Sequence, residues 1–139
     1  MLKIMWPFRK SPASPLPSGV SRNGVSAEYD VEVEQWVLVL ENVEFRVSGI
    51  PLNEAAFEWA AEALAVIRRL DASIQKAVAE CLGEFEGDKT AAETFCVDLD
   101  GYPDSRTIAL TFVGDDSWGD FGVVVIITDG QIIDSYGSD

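Results

Sequence analysis

The sequence predicts an α+β domain, an antiparallel sheet in the order β-β-β-α-α-β-β-β-β with two helices packed on one face. Three observations carry this reading. Residues 29–34, 43–48, 95–99 and 108–112 alternate with period two, as half-buried strands do, and residues 36–40 and 121–127 are strand-length apolar runs. Residues 57–85 instead repeat their apolar positions at helical spacing. Short turn signals, Asp129-Gly130 the clearest, join neighbouring runs as hairpins, and hairpins pair strands antiparallel.

In chain order, the first strand places Tyr29, Val31 and Val33 on one face and Asp30, Glu32 and Glu34 on the other. Trp36-Val37-Leu38-Val39-Leu40 is apolar on both faces, which predicts an interior strand. Glu41-Asn42 turns the chain into Val43, Phe45 and Val47, alternating with Glu44, Arg46 and Ser48. Gly49-Ile50-Pro51 ends that strand. Asn53 is a good N-cap, Glu54 suits the first helical turn, and Leu52 is placed to pack on Phe57 as a hydrophobic staple. Apolar positions then run from Phe57 through Leu64, Ile74 and Val78 to Phe85. A bend near Asp71 divides the run into two helices, and Gly83 or Gly87 ends the second. Thr90-Ala91-Ala92-Glu93 fits a capping box, so one helical turn is expected before Phe95. Phe95, Val97 and Leu99 form one strand, and Ile108, Leu110 and Phe112 the next. Phe121–Ile127 reads as a central strand, and Asp129-Gly130 as a type I′ turn into Gln131-Ile132-Ile133.

Residues 1–25 read as a flexible, basic, Pro/Ser-rich tail, and residues 26–139 as a single acidic domain. Residues 1–24 hold Lys3, Arg9, Lys10 and Arg22 and no acid. The chain's net charge of −14 therefore leaves −18 on the remainder. Such a body repels nucleic acid and anionic membrane and steers basic partners toward itself. The tail's Leu2, Ile4, Met5, Trp6 and Phe8 suggest at most a weak membrane touch, because Pro7 blocks a regular helix. A charge at Lys3, the same proline and the lack of an apolar h-region argue against a secretory leader. No apolar run exceeds the five residues of Val123–Ile127, which is strand-sized and far short of a membrane span, so no stable insertion is expected. Cys81 and Cys96 read as free, buried thiols, which fits a cytoplasmic location.

The chain has no histidine. That removes Ser-His-Asp and Cys-His catalysis, histidine general bases and nearly every zinc site. No catalytic residue, cofactor or resident metal is assigned.

Two acidic segments are candidate partner-binding sites. Asp115, Asp116 and Asp120 surround Trp118 in a loop between two strands. This loop reads as a binding hot spot, as a hard-cation site, or as a turn whose aspartates cap it while Trp118 folds back on the sheet. Glu28, Asp30, Glu32 and Glu34 form a strip of carboxylates on the order of 7 Å apart along one strand. The strip suits a basic cleft, such as that of a nuclease, or is a solvated face. Asp98-Leu99-Asp100-Gly101 departs from an EF-hand loop, because its Gly comes too early and strands flank it.

The helix ending Ile67-Arg68-Arg69-Leu70-Asp71, the Leu110-Thr111-Phe112 strand, the Asp115–Asp120 loop and the Asp129-Gly130 hairpin together carry a likeness. Over residues 55–137 the chain resembles a family of small bacterial α+β proteins of unknown function. In those relatives a histidine follows the Trp-Gly pair, where this chain has Asp120. In general build it is also similar to immunity proteins of bacterial toxin systems. The expectation is a non-enzymatic immunity or inhibitor protein whose acidic surface neutralises a basic protein partner such as a toxin or nuclease. The rivals are a carboxylate- or divalent-metal-dependent enzyme using the Asp115–Asp120 loop, and a structural or regulatory domain.

Overall fold

A computed structural model of the chain describes residues 19–83 and 93–138. Its frame is one eight-stranded sheet whose strands lie side by side in chain order. The elements are β1 (Val20–Arg22), β2 (Val25–Asp30), β3 (Gln35–Leu40), β4 (Val43–Ser48), α1 (Ala56–Arg69), α2 (Asp71–Leu82) and β5 (Glu93–Asp98). They continue with α3 (Tyr102–Ser105), β6 (Thr107–Val113), β7 (Gly122–Thr128) and β8 (Gln131–Ser138).

The α+β class holds, but the sheet is mixed and not wholly antiparallel. Four strands, not three, precede the helices, and β4 pairs with β5 in parallel, Phe45 against Val97 and Arg46 against Asp98. Hairpin logic cannot see this seam, because the two strands are joined by the helical crossover that parallel pairing needs. Two further contacts hold the seam. Leu99 donates its N–H to the Arg46 carbonyl at 2.9 Å. The Asp100 carboxylate accepts both the backbone N–H and the hydroxyl of Ser48, each at 2.7 Å.

The sheet also starts before the expected boundary near Ser26. Asn23 and Gly24 have φ of 54° and 80°, a type I′ turn that folds β1 back on β2. Asn-Gly is a strong hairpin signal, masked in the sequence by the Pro/Ser-rich composition around it. The expected flexibility of residues 1–18 lies outside the described residues. Glu41-Asn42 and Asp129-Gly130 make the same kind of turn, with positive φ at both central positions.

The strand expected to carry Glu28 through Glu34 ends at Asp30. The Asp30 carboxylate accepts the Glu32 N–H at 3.0 Å, a local bond that competes with strand pairing. Glu34 then takes a φ of 56° to re-enter β3. Val31 and Val33, expected to face the core, are 51% and 48% exposed.

The helices follow the sequence pattern, with α1 and α2 separated by Leu70 alone. Asn53 starts the first by accepting the Ala55 N–H on its side chain and the Ala56 N–H on its carbonyl, both at 2.9 Å. The cap thus acts through a lead-in turn, and the helix proper opens at Ala56. Gly83 ends the second helix with φ 38°. The capping-box turn expected at Thr90–Glu93 falls mostly outside the described residues, and Glu93 itself opens β5. α1 packs on β3, and α2 packs on β7 and β8, so both helices cover the same face. Under them a row of side chains crosses the sheet: Ala27, Leu38, Phe45, Val97, Leu110 and Val125, each at most 1% exposed. Because side chains alternate with period two, a one-residue slip at the seam would send half of this row to the other face. No helix among the described residues is long and apolar enough to cross a membrane.

Candidate binding surface

The Asp115–Asp120 loop is built to hold itself. Trp118 is 3% exposed and belongs to the core, with its ring 6.1 Å from that of Phe121. Gly114 lies so close beneath the indole that a Cβ there would overlap it. Asp115 accepts the Ser117 N–H at 2.9 Å and the Ser117 hydroxyl, capping the 3-10 turn Asp116–Trp118. Asp116 and Asp120 are exposed. Trp118 is therefore no exposed anchor, and the loop lacks the apolar centre of a hot spot. Among the described residues no group of three Asp, Glu, His or Cys side chains could hold a metal ion.

The face of the sheet opposite the helices is uncovered by any described element. By register, one row across it runs Glu28, Val37, Arg46, Asp98, Ala109, Ile126 and Asp134. A second row carries Ser26, Val39 and Glu44 on one side of the seam and Cys96, Thr111, Val124 and Tyr136 on the other. Along β3, β4, β6 and β7 most inward side chains are buried, while their outward neighbours are half-buried or exposed. The two rows set Glu28, Glu44, Asp98 and Asp134 around a strip of valine, alanine and isoleucine. Their single base, Arg46, is bound to Glu44 through Nη2 at 2.6 Å and Nε at 2.8 Å. Beside this pair the Cys96 thiol is pushed above the usual thiol range, chiefly by burial.

At the β2–β3 end this face hollows into a concavity of about 480 Å³. Glu28, Asp30 and Glu32 line it together with Val31, Val37 and Val39. Three of the four carboxylates in the sequence strip thus meet after all, brought together by a strand end and a turn. Glu34 lies outside the hollow. The hollow combines an apolar floor with acidic walls. A lysine or arginine side chain fits that pairing, its methylenes on Val37 and Val39 and its charge toward Glu28 and Glu32.

No family model, curated protein or solved structure matches this chain. The surface is therefore read from the chain's own residues. Sequence reasoning missed Glu44, Asp98, Asp134, Val39 and Tyr136, because a strand apolar on both sides normally signals burial on both. The one available signal was cross-strand. Val37 and Val39 stand opposite Glu28, Arg46, Ser26 and Glu44, polar residues that an interior face would not accept.

Proposed function

We propose that this chain is a non-enzymatic binding domain that engages a basic protein through the uncovered sheet face. The observation that carries this reading is a sheet clothed by the described helices on one side, with an acidic, partly apolar face on the other that no described element covers. Eight strands spaced by about 4.8 Å and roughly 20 Å long offer a face of about 700 Å². That approaches the ~800 Å² per partner of a stable protein interface. The apolar strip supplies desolvation on docking, and the carboxylates around it supply steering and register. An immunity or inhibitor protein against a basic toxin or nuclease is the role that suits this chemistry. The β2–β3 hollow would take a protruding lysine or arginine of the partner.

The test is affinity capture from the source organism at about 0.1 M and about 1 M salt, where screening lengths differ roughly threefold. The double variant Glu28→Lys/Glu32→Lys reverses charge at the hollow. Glu58→Lys/Glu80→Lys makes the same change in net charge on the helix-bearing side. One basic protein, retained by wild type and by the helix-side variant but lost by the hollow variant and at high salt, is the expected result. Equal loss in both variants would mean net charge alone is read, and would refute the face as the site.

A further inference from the structure

On the helix-covered side of the sheet, β1, β3 and the approach to α1 border a groove of about 390 Å³. Its lining includes the buried Trp36 and Phe57 and the more open Val20, Ile50, Pro51 and Leu52. Val20 and Ile50 are 48% and 61% exposed, so large apolar side chains at the mouth face water. Arg22 and Glu54, also in the lining, hold each other at 2.6 Å, and Arg22 lies 5.3 Å over the Phe57 ring. The rim therefore sets no net charge against an apolar occupant.

The described chain enters the sheet at this groove. Val20, the first residue of β1, is part of the lining. β1 is antiparallel to β2, with Val20 opposite Ala27, so Gly19 enters β1 from the Tyr29 end of β2. Tyr29 in turn pairs with Trp36. Upstream in sequence, Leu2, Ile4, Met5, Trp6 and Phe8 put five large apolar side chains into residues 2–8. Residues 1–18 also carry three bases, Lys3, Arg9 and Lys10, and no acid. Residues 9–19 join that segment to Val20 and reach up to ~40 Å at ~3.5 Å per residue, far more than the return to the groove needs.

We infer that this groove seats the chain's own N-terminal segment, residues 2–8, with Trp6 and Phe8 against Val20, Ile50 and Phe57. Removal of these side chains from water supplies the affinity. The tether supplies an effective concentration on the order of mM, which a free molecule seldom matches. Charge selects the same occupant. The acidic body attracts the bases that flank the apolar residues, whereas it repels a second copy of itself and an anionic bilayer. Seated, the exposed mouth of the groove and the apolar segment cover each other. The contact is independent of the proposed protein-binding face, since Val37 and Val39 lie on the opposite side of β3 from Trp36.

The test is NMR of the full-length protein, followed on its methyl and tryptophan indole resonances. The double variant Trp6→Ser/Phe8→Ser should move the Val20 and Ile50 methyl signals and leave Val31 and Val39, on the far side of the sheet, unmoved. A synthetic peptide of residues 1–10, added to that variant, should restore the wild-type positions. Half-saturation is expected at about 0.3 mM, which with an effective concentration on the order of 3 mM keeps the tethered segment seated about 90% of the time. From the other side of the contact, Ile50→Asp should send the Trp6 indole signal to its position in the free peptide. The wild-type spectrum should not change on about 10-fold dilution, because a tethered contact does not depend on protein concentration. A Trp6 signal that already coincides with that of the free peptide in wild type would overturn the inference. So would a signal that moves on dilution, which would assign the groove to a second copy, or one that moves only on adding phosphatidylglycerol vesicles, which would assign the segment to a membrane.

Discussion

Replacing Trp118 with alanine separates the two roles its loop offered. If the indole is part of the core, the variant loses folding stability before it loses anything else. A core Trp→Ala change costs about 3–5 kcal/mol, the sum of lost transfer energy and an unfilled cavity. Against a typical domain stability of ~5–15 kcal/mol, that is a large fraction. Gly114→Ala tests the same packing from beneath. Gly114 does not have positive φ, so alanine meets no backbone strain there, and the only cost is the overlap of its methyl with the ring. Overpacking of that kind costs about 1–3 kcal/mol. Urea denaturation followed by circular dichroism measures both, with the midpoint shifting and the slope m unchanged. A Trp118→Ala loss below about 1 kcal/mol, with partner binding abolished, would refute the core assignment and restore Trp118 as an exposed anchor.

Other consequences are as direct. Asp100→Ala removes both acceptors from Ser48 at the exposed end of the parallel seam, and should cost about 1 kcal/mol. Hydrogen exchange should show faster opening at Ser48 and Leu99, and unchanged protection there would count against the clamp. The Tyr102 hydroxyl donates to Glu62 at 2.7 Å, so Tyr102→Phe should cost about 0.5–1.5 kcal/mol near neutral pH. Burial, with the Glu62 carboxylate beside it, raises the Tyr102 pKa above the ordinary phenol value. The folded state thus prefers the neutral phenol. Its contribution is full below about pH 10 and is lost as pH rises through the raised pKa, so wild type and variant should converge in strong alkali. A gap that widens with pH would reverse this sign. Alkylation of Cys96, measured in a Cys81→Ser background, should have its pH midpoint above the ~8.5 of a free thiol. A midpoint at or below that value would mean that Arg46 outweighs burial.

Most of the local architecture was legible. The Asp129-Gly130 turn, the helix start at Asn53, the division near Asp71 and the stop at Gly83 all depend on residues within a few positions of one another. Two carboxylates show where local pattern reading stops. Asp30 ends β2 through a bond to the Glu32 backbone, and Asp115 caps its own 3-10 turn through Ser117. Asp30 thereby overturns the longer strand expected through Glu34, whereas Asp115 realises the turn-capping reading of its loop, and pattern reading does not weigh a side chain against the backbone it binds. Trp118 takes one of the two positions its loop offered: whether an aromatic in a polar loop projects or folds inward depends on the space beneath it. Gly114 provides that space.

The sequence by itself determined the α+β class, the hairpins within each half of the sheet, the two helices and the acidity of the body, because local periodicity and turn chemistry set each of these. The tertiary structure alone decided that β4 and β5 meet in parallel, that one sheet face is covered by no described element, and that Glu28, Asp30 and Glu32 gather around an apolar hollow. It also decided that Trp36 is buried, with no hydrogen-bond partner for its indole N–H among the described residues. Each of these depends on which distant segments share a border, and that is settled when the continuous row from Ala27 to Val125 is buried under α1 and α2.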